Sequence, residues 1–149
     1  MKKFATLVAL VLVAVLALGM TGCSSYGSLK KAFEKEGYEE SAELEGYNDK
    51  IKEEAEKDEL AVTLHGLKKV DGLKSTVVLI LEFQATEDMK KLYEDSETVK
   101  GFVKDVSSSE DVKEWLKAME DAGYAKGNCL VFTINPLSVN EVTNIVKNA

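Results

Sequence analysis

The chain predicts an α+β fold: a small three-stranded antiparallel sheet packed with helices, preceded by a helical N-terminal region. Three observations predict it. Residues 60–84 hold two apolar-alternating runs on either side of Asp71-Gly72, the signature of a tight β-hairpin. Residues 128–135 hold one short apolar run that Pro136 stops, as a buried strand would require. Apolar residues at helical spacing flank both stretches.

Residues 28–58 read as helical. Leu29, Ala32 and Phe33 fall at i, i+3 and i+4, Ser28 is placed to cap, and Gly37 interrupts. A second run, from about Ser41 to Asp58, sets Leu44, Tyr47, Ile51 and Ala55 about one turn apart among many Glu and Lys. Charge this dense belongs to a solvated helix face.

In the hairpin, a turn centred on Asp71-Gly72 needs positive φ at both central residues. It sets Leu60 opposite Phe83, Val62 opposite Leu81 and Leu64 opposite Leu79, all apolar and all on one face. The other face pairs Ala61 with Glu82, Thr63 with Ile80 and His65 with Val78. Being half apolar, that face is either partly covered or open to a ligand.

Thr86 to Val106 returns to helical spacing, as one bent helix or two short ones, with Ser96 as a cap for the second. Val112, Trp115, Leu116 and Met119 give a further stripe that Gly123 ends. After the 128–135 strand, Ser138 and Glu141 match the S-x-x-E capping box of a last helix bearing Val142, Ile145 and Val146. The order is α–α–β–β–α–α–β–α. Two helices between the second and third strands reverse the chain twice, so the sheet is expected in the order 1-2-3, all antiparallel.

The first 22 residues stand apart. Lys2 and Lys3 precede 17 uncharged residues, Phe4 to Met20. That is the pattern of an export signal, although 17 also reaches the lower limit of a membrane-spanning helix. Met20-Thr21-Gly22-Cys23 follows at once. It resembles the lipobox of bacterial lipoproteins, Leu-(Ala/Ser/Thr)-(Gly/Ala)-Cys, with Met20 where the family usually has Leu. The resemblance covers residues 1–23 only. It implies a diacylglyceryl group on the Cys23 sulfur and cleavage between Gly22 and Cys23. It further implies residence at the extracytoplasmic face of the cell membrane, held by the lipid. One acyl chain binds a membrane marginally, whereas two hold it stably. The expected division is then 1–22 signal peptide, 23–27 polar tether and 28–149 a single α+β domain.

Composition narrows the function. The 149-residue chain carries −7, and losing Lys2 and Lys3 with the signal leaves 127 residues at −9. All 19 basic residues are Lys. An acidic, Arg-free domain lacks the cationic stripe that nucleic acid requires, so no nucleic-acid partner is expected. With Cys23 lipidated, Cys129 has no partner for a disulfide. The sequence contains no G-x-G-x-x-G, P-loop, G-x-S-x-G or H-E-x-x-H motif, and no cofactor or metal is expected.

Few residues invite a catalytic reading. His65 is the single His and could serve as a general base, in a dyad with Cys129 if their strands share a face. The plainer reading makes Cys129 a small core residue and His65 the end of a strand. Glu82 could be a buried acid or a residue at the sheet margin near water or Lys. Tyr26, Tyr38 and Tyr47 could stack on a sugar or peptide, or pack helices. Trp115 belongs to a core stripe by its spacing. The sequence thus predicts a membrane-anchored, non-catalytic protein that binds an envelope partner protein or a small ligand. The alternatives are a small envelope enzyme using His65 or a carboxylate pair, and a structural or assembly factor.

Overall fold

The computed structural model describes residues 25–41, 46–103 and 106–149. Among them are six α-helices and a five-stranded antiparallel sheet. The α+β class holds; the strand count of three does not. In chain order the elements are α1 (Ser25–Lys35), β1 (Glu39–Glu40), α2 (Tyr47–Lys57), β2 (Val62–Asp71) and β3 (Lys74–Phe83). Then follow α3 (Thr86–Asp95), α4 (Glu97–Phe102), α5 (Val112–Ala122), β4 (Ala125–Lys126), β5 (Cys129–Thr133) and α6 (Val139–Asn148), the last entered through a short 3₁₀ turn. The sheet order is β1-β2-β3-β5-β4.

The three expected strands sit at the centre in the expected order, and the two additional strands are the edges. Each edge strand has two residues, too few to leave an alternating pattern. Glu39 and Glu40 pair with Lys68 and Leu67, inside the stretch expected to be helical. Ala125 and Lys126 fold back on Leu130 and Cys129 through Gly127-Asn128. Short, charged edges suit a sheet exposed at its margins.

The hairpin register differs from expectation by two residues. Val62 faces Phe83, Leu64 faces Leu81, and Asp71 faces Lys74, so the turn is Gly72-Leu73. Gly72 has φ 60°, while Asp71 and Leu73 avoid positive φ. A turn with Gly in the first central position needs one left-handed residue instead of two. A slip of two preserves strand parity, so every side chain keeps the face assigned to it.

Both faces are covered. Leu79, Leu81, Phe83, Leu130 and Phe132 fill one face and pack with Ile51, Leu92, Trp115 and Met119 beneath α2–α5. Leu67, Val78, Ile80, Cys129 and Val131 fill the other, beneath Leu29 and Phe33 of α1 and Val142 and Val146 of α6. The half-apolar face is therefore a second core.

The helix signals fare unevenly. Ser96 accepts from the Val99 amide at 3.0 Å and begins α4, so the 86–106 stretch is two helices. Gly123 closes α5 at φ 85°. Of the tether expected over 23–27, Ser25, Tyr26 and Gly27 instead belong to α1, with Ser28 inside it, and residues 23 and 24 lie outside the described residues. Leu44 of the second helical run lies outside the described residues.

Candidate functional site

The candidate site lies where α1 crosses β2. Strand β2 continues past His65 through Gly66 to Asp71, so His65 is a mid-strand residue and not a strand end. It faces Ile80, on the side that α1 and α6 cover. Leu29 and Phe33 seat α1 in that core, which lays the Tyr26 ring on the imidazole. The ring centroids are 3.5 Å apart and the planes 11° from parallel. His65 Nε2 lies 3.0 Å from Glu82 Oε2 on the neighbouring strand. Against an ionised carboxylate, which only accepts, Nε2–H is the donor. Both side chains are partly exposed, at 22% and 23%.

Glu40, set on β1 by its pairing with Leu67, closes the cluster. The Tyr26 hydroxyl donates to Glu40 Oε1 at 2.8 Å, and Lys30 Nζ reaches the same oxygen at 3.1 Å. Burial, then the bond to Glu40, pushes the Tyr26 phenol well above its usual range. Hydrogen bonds from Tyr26 and Lys30 hold the Glu40 carboxyl below the usual carboxylate value. The bond to Glu40 raises the Lys30 ammonium.

The structure does not bring Cys129 and His65 together as a dyad. Glu82 faces both Thr63 and Cys129, whereas His65 faces Ile80, which faces Val131. Strand β3 therefore separates the two residues, about 10 Å across two strand spacings. The Cys129 thiol is fully buried. Burial, reinforced by the Glu82 charge, pushes it up to about 12. A nucleophile needs a thiolate, which this site disfavours. The sheet-face cluster is thus Thr63, His65 and Glu82 with Tyr26 laid over it, and Cys129 belongs to the core. Glu82 meets the only His in the chain, not a Lys.

A second polar cluster lies at the other end of the same face. Glu141 accepts from Lys69 Nζ at 2.9 Å and from the Tyr38 hydroxyl at 3.1 Å. Ser138 Oγ shares a hydrogen bond of 2.9 Å with Thr76 Oγ1. The expected capping box is therefore not formed: Ser138 makes no side-chain cap, and Asn135 instead accepts from the Leu137 amide. Both box residues are used to dock α6 on the sheet. The bond from Lys69 holds Glu141 below the usual carboxylate range.

The three tyrosines considered as stacking residues each have a ring partner within the chain. Tyr26 stacks on His65, Tyr38 meets Phe33 edge-on, and Tyr47 meets Phe102 edge-on. The Tyr26–Glu40–Lys30 group was missed because Tyr26 was assigned to a tether and Glu40 fell in the break between Gly37 and the helical run from Ser41, where no strand was expected. The signal was present: Tyr26, Leu29 and Phe33 continue the α1 stripe one turn earlier.

Gly22 and Cys23 lie outside the described residues. Among those described, no helix is long and apolar enough to cross a membrane, and no group of three or more His, Cys, Asp or Glu is arranged to hold a metal ion. No protein-family model, curated protein or solved structure matches the chain.

Proposed function

We propose that the protein is a lipoprotein anchored to the extracytoplasmic face of the cell membrane through Cys23, and that its domain acts by binding rather than catalysis. The observation that carries this reading is Thr21-Gly22-Cys23, directly after 17 uncharged residues, with a docked helix beginning two residues later at Ser25. An acidic domain gains no attachment from an anionic membrane, so the lipid supplies it. A binding role is supported by the commitments of the reactive groups: the Cys129 thiol is buried and raised, and His65 is held by Tyr26 and Glu82. The protein's own side chains fill both sheet faces. That favours recognition of an envelope partner protein by the outer surface over a small ligand seated on the sheet.

Cys23→Ala tests the anchor. Palmitate labelling should disappear and the protein should leave the membrane fraction. Labelling that persists in the variant would overturn the assignment.

A further inference from the structure

The two helix layers differ in charge. Stretches 46–61, 84–103 and 106–123, which build the α2–α5 layer, hold 16 of the chain's 26 acidic residues against 8 Lys. Segments 25–41 and 124–149, which supply α1 and α6, hold five acidic residues and five Lys. Most of the negative charge of the mature chain therefore lies on one side of the sheet.

Covalent geometry ties the anchor to the other side. Only two peptide steps join Cys23 to Ser25, so the chain itself tethers a lipid on Cys23 to the start of α1. Helix α1 then runs along the sheet, fixed by Leu29 and Phe33, from Ser25, which lies against the Gly127 turn, towards Gly37, which lies near Lys69. At the opposite end of the sheet, the β2–β3 turn and the 3₁₀ turn that enters α6 carry two exposed leucines, Leu73 at 109% and Leu137 at 85%. The bonds Thr76–Ser138 and Asn135–Ser75 hold them at one corner. Along β3 that corner is about 26 Å from Glu82, at 3.3 Å per residue.

We infer that the α1–α6 side is a membrane-contact face, lying along an anionic phospholipid surface with the acidic α2–α5 layer turned away. The inference rests on the lipoprotein reading above. The lipid holds one end, and Leu73 and Leu137 touch the bilayer at the other. A neutral layer approaches anionic headgroups without repulsion. The acidic layer, more than a helix diameter of about 10 Å further out, stands beyond a Debye length.

The test uses the mature lipoprotein, purified from membranes and reconstituted in vesicles containing phosphatidylglycerol and a nickel-chelating lipid. Spin labels are placed singly by Lys31→Cys, Lys74→Cys and Lys117→Cys; the buried Cys129 does not compete for label. Labels at positions 31 and 74 should relax severalfold more than the label at 117, and Leu73→Ser with Leu137→Ser should lower the value at 74 alone. Equal relaxation at the three positions, or most at 117, overturns the contact face. An unchanged value at 74 in the double variant overturns the leucine contact. Palmitate analysis of the same preparation separates the two readings. An unacylated Cys23 removes both, whereas an acylated Cys23 with equal relaxation removes only the contact face.

Discussion

The face of the sheet that carries Leu79, Leu81 and Phe83 meets its helices through a large apolar core. The face that carries Leu67, Val78 and Ile80 has a smaller core, closed at both ends by polar pairs that join helix to sheet. In the first layer Ser96 and Thr98 bind Glu54, helix to helix. In the second, Glu141 binds Lys69 and Ser138 binds Thr76, helix to sheet. Apolar contact is strong but undirected, whereas a hydrogen-bonded pair fixes one placement. Apolar burial on the first face therefore stabilises the domain, and the polar pairs on the second position α1 and α6 on it.

The largest effects should come from the first face. Leu79 and Leu81 are fully buried there, so Leu79→Ala and Leu81→Ala should each cost about 2–5 kcal/mol. Denaturant melts measure this directly. A loss below about 0.5 kcal/mol would mean that these side chains are not core.

Cys129 offers a pH test of the second face. Its thiol is raised from 9.0 to about 12 by burial. Above pH 9 the unfolded chain loses this proton while the folded protein keeps it. The stability contribution is therefore full below pH 9 and declines as pH rises towards 12, by up to about 1.4 kcal/mol per pH unit. Cys129→Ala should flatten the alkaline decline relative to the parent under reducing conditions. Parallel pH profiles for the two proteins would place the thiol in water.

The two faces also differ in how far the sequence revealed them. The first was legible because Val62, Leu64, Leu79, Leu81 and Phe83 alternate within one hairpin, and parity survived a register error of two. The second depends on contacts between distant segments, such as Tyr38 with Glu141 and Tyr26 with His65, which periodicity does not encode. Ser138 and Glu141 illustrate the difference. Their spacing states a local cap, but the sheet offered Thr76 and Lys69 as partners. The edge strands escaped notice because two residues carry no pattern.

Glu141→Gln probes one of those partners. Lys69 and Tyr38 favour the ionised carboxylate, so Glu141 is depressed in the folded state. Its contribution is present at neutral pH and lost as pH falls through that depressed value. The side chain is 38% exposed, so solvent screening limits the effect to about 0.5–1 kcal/mol. Thermal melts of the parent and variant should differ at pH 7 and converge in acid. A gap that persists at low pH would assign the loss to packing instead of charge.

The smallest effect expected is on activity itself, for His65→Ala and Cys129→Ser. An enzyme that loses its base or nucleophile loses orders of magnitude in rate, whereas a packing residue costs stability alone. His65 lies under Tyr26 and against Glu82, and Cys129 lies in the core two strands away. Neither placement leaves a base beside a nucleophile. Both variants should therefore complement a deletion of the gene at matched protein abundance, even where their melting temperatures fall. Loss of complementation by His65→Ala, with abundance and melting unchanged, would move the working site to the cluster of Thr63, His65 and Glu82. The second face would then be the part of the domain that acts, and the binding reading would give way to a catalytic one.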